Sequence, residues 1–211
     1  MIVIDDFIKD NNLLLEIESD QNFFPESIGS GGYTGKFMFW DGWWKSPANT
    51  TRKKIVQKIW ENNLPLNHDD ICGFEYWTRT YNVGEYIGIH FDEDGFLYRD
   101  KKIFKGTTIG CVYYPHTNVN VVGGFLEIHP SVIKDETPNA LEKDSINALV
   151  VPIEERERIA CKPNRLVIFD GGHTVHNTTP IISGAKTILG INVWHKDSPP
   201  SALNTGEFYY E

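Results

Sequence analysis

Hydrophobic and polar positions along this chain change period more than once, and each change marks an element. Ile2 to Ile4 is a short β-branched run. Phe7, Ile8, Leu13, Leu14, Leu15 and Ile17 then recur at about helical spacing, which predicts a strand followed by a helix over about residues 9–19. Between Gln21 and Pro47 the period is lost. Gly29-Ser30-Gly31-Gly32 permits unusual backbone angles, and Phe37, Phe39, Trp40, Trp43 and Trp44 crowd into the residues that follow. Rings of this size bury area wherever they can, so most are expected in a packed cluster, with a pocket wall as the alternative. Thr50 or Thr51 can cap a helix running to about residue 62. Ile55, Val56, Ile59 and Trp60 share one face of it, and Arg52, Lys53, Lys54 and Lys58 share a solvated one.

After Asp70 the period falls to two. Phe74, Tyr76, Thr78, Thr80 and Asn82 alternate with Glu75, Trp77, Arg79 and Tyr81 in a long strand that Gly84 ends. Further strands are expected over residues 86–92, 107–114, 124–129, 165–169, 175–179 and 186–195. Residues 92–105 carry the turn signal Asp94-Gly95 and a charge cluster, and read as a loop or hairpin at a cavity mouth. Residues 130–163 read as a polar insertion with strands near 148–153 and 157–161.

About eight strands after an N-terminal helical part, with no βαβ alternation, argue against a parallel sheet and for two antiparallel sheets enclosing a cavity. The expected fold is mainly β (α+β): a double-stranded β-helix, jelly-roll-like barrel with N-terminal helices packed outside. One domain is expected over residues 1–211, its helical part about 1–65 and its β-helix core about 71–195.

Charge narrows the partners. A formal charge of −9 and a pI near 5.3 argue against nucleic acid. No apolar stretch is long enough to span a bilayer, and no basic n-region opens the chain, so no membrane is expected and the compartment is read as cytoplasmic. Cys72, Cys111 and Cys161 are too scattered for a disulfide framework and read as reduced thiols. Oligomeric state is not legible.

Candidate chemistry centres on Ile87-Gly88-Ile89-His90-Phe91-Asp92. On a strand, residues i and i+2 share a face, so His90 and Asp92 can point together while Ile89 and Phe91 face away. One more imidazole would complete a grip that leaves three positions of an octahedron free, which suits non-haem Fe(II) binding a co-substrate and O2 together. His173 and His176 compete for that place, and being three apart they would face opposite sides of a regular strand. Lys186 opens an otherwise apolar run, Thr187-Ile188-Leu189-Gly190-Ile191, where a buried ammonium wants a carboxylate.

These residues occur in a recognisable order. Tyr81-Asn82-Val83-Gly84-Glu85-Tyr86 precedes His90. Cys111-Val112-Tyr113-Tyr114 and Gly123-Gly124-Phe125-Leu126-Glu127-Ile128 follow Asp92, and Pro180-Ile181-Ile182-Ser183-Gly184-Ala185-Lys186 follows His176. The set resembles the 2-oxoglutarate, Fe(II)-dependent dioxygenases in their prolyl-hydroxylase-like branch, over about residues 71–195. In that family the distal histidine precedes a glycine by eight residues and a basic residue by ten. His176 stands so before Gly184 and Lys186, which selects it over His173.

The resemblance implies His90, Asp92 and His176 as metal ligands. It implies Lys186 and Tyr114 on the distal carboxylate of 2-oxoglutarate, Tyr81 as a further co-substrate contact, and Asn192 near the keto end. The implied activity couples oxidative decarboxylation of 2-oxoglutarate to succinate and CO2 with hydroxylation of a small-molecule, amino-acid or peptide substrate, a prolyl group among the candidates. The implied cofactors are Fe(II), 2-oxoglutarate, O2, and ascorbate as reductant. Asn177-Thr178 and the choice of Lys depart from the commoner pattern and leave the sub-branch open. Two rivals stand beside this reading: a zinc-dependent hydrolase on the same ligands, and an inactive β-helix binding module.

Overall fold

Two helices start on side-chain caps. Asp10 accepts the Asn12 N–H and starts α1 (Asn11–Ser19), and Thr50 accepts the Lys53 N–H and starts α2 (Thr51–Trp60). The computed structural model describes residues 1–27, 37–64, 66–132 and 151–208. Its strands are β1 (Ile2–Ile4), β2 (Met38–Trp40), β3 (Ile71–Tyr81), β4 (Ile109–Tyr114), β5 (Val122–Gly123), β6 (Leu126–Val132), β7 (Glu157–Ile159), β8 (Arg165–Phe169), β9 (Thr174–Thr178), β10 (Ile181–Ser183) and β11 (Lys186–His195), with α3 (Gly95–Lys101) between β3 and β4.

Six strands form a major sheet in the order β1-β8-β4-β11-β3-β2, three form a minor sheet β7-β6-β9, and β10 pairs with β5. Every pairing in the major and minor sheets is antiparallel. β11 is the spine, buried from Lys186 to Trp194 and bonded to β3 along its length, from Lys186↔Tyr81 to His195↔Ile71. Alternation then sorts its side chains. Leu189, Ile191 and Val193 join Phe74, Tyr76 and Tyr113 in one core with Leu13 and Ile17 of α1 and Ile55, Val56, Ile59 and Trp60 of α2. Lys186 and Ile188 point the other way, into a cavity that residues of the minor sheet also line. β4 pairs with β11 only from Leu189 onward, and there the Asn118 side chain takes over as a surrogate strand. It accepts the Thr187 N–H at 2.9 Å and donates to the Thr187 carbonyl at 2.6 Å.

Three expectations are corrected and one alternative is decided. Residues 86–92 are not a continuous strand: the Ile87 N–H is taken by the Thr178 hydroxyl at 2.8 Å, and ladder contact resumes only as the bridge His90↔His176. Residues 92–105 contain a helix, because the Asp94 carboxylate accepts the Leu97 N–H and opens α3. Trp43 and Trp44 take the packed-cluster place and not the pocket-wall alternative, and do not border the cavity that Lys186 and Ile188 enter. They pack on Phe74 and His68, with Trp44 stacked on the imidazole at 4.7 Å, in the core on the opposite face of the sheet. The glycine-rich part of that loop, residues 28–36, lies outside the described residues, as do residues 133–150. At the expected strand 148–153, the described end turns into a 3-10 helix, Ile153–Glu155.

Candidate metal centre

Backbone and side chain cooperate to bring three donors together. His90 and His176 exchange both backbone hydrogen bonds at 3.0 Å, which sets their rings side by side with centroids 4.1 Å apart. Each ring is then turned by a local contact: Nδ1 of His90 donates to the Gly88 carbonyl at 2.8 Å, and Nδ1 of His176 to the Thr174 carbonyl at 2.9 Å. With Nδ1 so engaged, both Nε2 atoms present lone pairs, the arrangement that second-shell carbonyls impose on ligating histidines. Asp92 Oδ1 lies 3.9 Å from His90 Nε2 and 3.6 Å from His176 Nε2, and one ligand atom from each residue falls within 4.8 Å of the others. Three donors at this spacing suit one divalent cation about 2 Å from each.

Electrostatics favours a cation here. Burial, and then the neighbouring His176, push His90 down to about 4, so its imidazole stays neutral and able to ligate. Burial alone would raise Asp92, but His176 and His90 beside it outweigh that and hold it below its ordinary value. His173, by contrast, bonds Asp170 at 2.9 Å and has its side chain about half exposed, away from the cluster.

Glycines make room for the carboxylate, and this the sequence reading missed. A Cβ on Gly171 would stand 2.0 Å from Asp92 Oδ2, and one on Gly110 would stand 2.4 Å from the same oxygen. The Gly171-Gly172 doublet beside the histidines was the available signal for the first. Nothing in the local pattern marks Gly110.

From the ligands the cavity runs to Lys186 and Tyr114, between walls that include Trp77, Ile87, Val112, Leu126, Phe169, Thr178 and Ile188. Trp77 was also missed, although it shares the strand face of Tyr81. Its indole lies over Gly190, and Phe37 packs edge-on against it at 5.2 Å. Lys186 is 1% exposed, donates to the Gly124 carbonyl at 3.2 Å and lies 4.9 Å from the centre of the Tyr81 ring. Among the described residues no carboxylate pairs with it. Burial, with Arg79 nearby, lowers its ammonium to about 8 despite Cys161. Tyr114 and Tyr81 are buried, and burial drives both phenols well above their ordinary value. Tyr81 and Asn192 are buried and are not among the residues that line the cavity. The Tyr81 hydroxyl has no partner among the described residues, and Arg79 lies 4.6 Å from its ring.

No family model matches the chain, and no curated protein matches it in sequence. Solved structures do. The chain is similar to a prolyl-4-hydroxylase from Pseudomonas putida at TM-score 0.54 and 13% identity, over 92% of each chain. It is similar to a prolyl hydroxylase from Trichoplax adhaerens, solved with a hypoxia-inducible-factor peptide, at TM-score 0.51 and 14% identity, over 93% of this chain and 84% of that one. An oxidoreductase of the 2OG-Fe(II) oxygenase family from Burkholderia pseudomallei matches at TM-score 0.50 and 10% identity, over 92% and 84%. The fold is therefore the jelly-roll type of the 2OG-Fe(II) oxygenases. Within it, the structures named here are chiefly prolyl hydroxylases. No described helix is long and apolar enough to cross a membrane.

Proposed function

We propose that this chain is an Fe(II)- and 2-oxoglutarate-dependent dioxygenase that hydroxylates an amino-acid, peptide or other small substrate. The observation that carries the reading is the pairing of two features in one cavity: a His90, Asp92, His176 cluster at one end, and at the other a buried lysine with no acidic partner among the described residues. An ammonium so placed is costly unless a carboxylate arrives from outside. A dicarboxylate long enough to reach the metal ligands while one end meets Lys186 answers both features. A zinc hydrolase would use the three ligands but leaves Lys186 unexplained, and a binding module without metal leaves the turned imidazoles unexplained.

Bound there, iron and 2-oxoglutarate would supply oxidative decarboxylation to succinate and CO2, with O2 as oxidant and ascorbate as reductant, and the substrate would be hydroxylated. The protein's share is placement. His90, Asp92 and His176 hold the cation. Lys186 takes the distal carboxylate by a charged hydrogen bond, with the Tyr114 phenol beside it as a neutral donor. Trp77, Ile87, Val112, Leu126 and Ile188 keep water from the carbon chain between. Tyr81 supports Lys186 from behind. Prolyl substrates head the candidates because two of the similar structures are prolyl hydroxylases, one holding a peptide.

The test is succinate release with Fe(II), ascorbate and 2-oxoglutarate against a panel of peptides and amino acids, with decarboxylation in the absence of substrate as the baseline. Substrate-stimulated succinate that His176→Ala abolishes is expected. Hydrolysis of a substrate with zinc, and no 2-oxoglutarate consumption under any condition, would overturn the reading.

A further inference from the structure

Glu75 takes part in nothing described above. It lies in the row that crosses the major sheet as Phe39, Glu75, Asn192, Gly110 and Phe169, so it shares a face with the floor beneath Asp92. The residue is 7% exposed, and its Oε2 meets Trp194 Nε1 at 3.0 Å and Asn192 Nδ2 at 3.4 Å. The charged groups facing it are Asp92, Asp94 and Lys105; its β2 neighbour Phe39 brings none. Lys105 lies 5.9 Å from the Trp194 ring but is engaged with Asp94 at 3.6 Å and with the Pro199 carbonyl. Among the described residues no cation pairs with Glu75. Burial, with Asp94 and Asp92 adding to it, raises its carboxyl to about 7 against the two N–H donors.

A second conflict sits beside the first. Asn192 Oδ1 is buried with no partner among the described residues. It borders the same space as Asp92 Oδ2, since a Cβ on Gly110 would stand 3.6 Å from one oxygen and 2.4 Å from the other. Two acceptors across one space are unfavourable, and so is a buried carboxylate without a cation. One rearrangement removes both conflicts. The oxygen and nitrogen of an amide are nearly isosteric, and hydrogen bonding decides which stands where.

We propose that Glu75 is a positioning residue for the metal-binding carboxylate: as the neutral acid it donates to Asn192 Oδ1, which turns the Asn192 Nδ2–H toward Asp92 Oδ2. The same Oε2, as a hydroxyl, still accepts the Trp194 N–H on a lone pair while its proton goes to Asn192. Asp92 Oδ1 is the oxygen that faces both imidazoles, at 3.9 and 3.6 Å. A donor on Oδ2 holds the carboxylate to a single metal contact and leaves three coordination positions open. The consequence for the metal rests on the function proposed above; the proton on Glu75 does not.

Two measurements test it. Infrared difference spectra, metal-free wild type minus Glu75→Gln at about pH 6, should show the carbonyl stretch of one protonated carboxylic acid; Glu93, which burial also raises to about 7, is common to both proteins and cancels. That band should bleach as pH rises through about 7. Cobalt(II) titration is the second. Glu75→Leu and Asn192→Leu should each bind cobalt about tenfold more weakly, with a shifted visible spectrum. Glu75→Gln, whose amide N–H can donate to Asn192 as the neutral acid does but cannot accept the Trp194 N–H at the same atom, should recover most of what Leu loses. Asn192→Leu combined with Glu75→Leu should be no worse than Asn192→Leu alone. Asn192→Asp, which sets a carboxylate against Asp92, gives a second variant of the same length and should lose cobalt at least as far.

Absence of the band at about pH 6, additive losses in the double variant, or a tenfold loss in Glu75→Gln would overturn the proposal. A wild-type protein that shows the band but takes up no cobalt overturns the metal reading and the positioning role with it. That result is distinct from a failure confined to Glu75, in which the wild type takes up cobalt and Glu75→Gln does not.

Discussion

Replacing Lys186 by methionine should make the metal-free protein more stable and, by the same change, nearly blind to 2-oxoglutarate. Methionine keeps an unbranched stem and removes the charge. Burial lowers the Lys186 ammonium from 10.5 to about 8. In the unfolded chain the amine keeps its ordinary value, so between those limits the folded protein binds fewer protons and stability rises with pH. Below about 8 that benefit is lost, which leaves a penalty on the order of 3 kcal/mol at neutral pH. The Met variant escapes it and should melt higher, by about 2–4 °C for each kcal/mol recovered. A charged hydrogen bond to a carboxylate contributes about 1.5–3 kcal/mol, so co-substrate affinity should fall roughly ten- to a hundredfold.

The assays are thermal denaturation of the metal-free protein at neutral pH and anaerobic calorimetric titration of 2-oxoglutarate into the Fe(II)-loaded one. Wild-type affinity should also weaken as pH is raised through about 8, where the amine loses its proton, and the variant should show no such dependence. A Met variant less stable than wild type would refute the account of Lys186 as a buried, uncompensated charge. Unchanged 2-oxoglutarate affinity would refute its role in the cavity.

Other outcomes follow from the geometry. His176→Ala should abolish Fe(II) binding while His173→Ala keeps most of it, measured by equilibrium titration; the reverse result would reassign the distal ligand. Gly110→Ala places a methyl 2.4 Å from Asp92 Oδ2 and should weaken metal binding about tenfold with little change in circular dichroism, whereas wild-type affinity would show that the carboxylate moves freely. Asn118→Ala strands the buried N–H and carbonyl of Thr187 and should cost about 1–3 kcal/mol in urea denaturation, together with a raised KM for 2-oxoglutarate, because it loosens the start of β11 at Lys186. Loss of stability without any change in KM would separate Asn118 from the cavity.

Some of this was legible in short stretches of sequence. The start of α2 at Thr50, the period-two run of β3 and the apolar run of β11 depend on local patterns, and the structure places those elements where the patterns do. Residues 86–92 were misread because alternation was taken for a ladder. The partner strand meets them with a threonine hydroxyl in place of a carbonyl, a choice made by β9 and invisible in their own sequence. α3 was missed because Asp94-Gly95 serves equally as a turn and as an N-cap, and here the Asp94 carboxylate is held in place by the distant Ser201 N–H and hydroxyl. For Trp43 and Trp44 the sequence left a packed cluster and a pocket wall both open, because the side of the sheet they cover is set by distant strands.

What the chain determined by itself is which residue types stand near one another in sequence: His90 two positions before Asp92, His176 ten before Lys186, and a lysine at the head of an apolar strand. The tertiary structure decided everything that depends on register between distant segments. It set His90 against His176 through paired backbone hydrogen bonds, carried Asp92 over Gly110 and Gly171, and put Glu75 in one row with Asn192. The division has a simple physical origin. Helix caps and strand periods are governed by interactions within a few residues, whereas a cluster of candidate metal ligands with a buried charge in the same cavity is made by strand pairing over long sequence separations, where one residue of slip would turn every side chain to the other face.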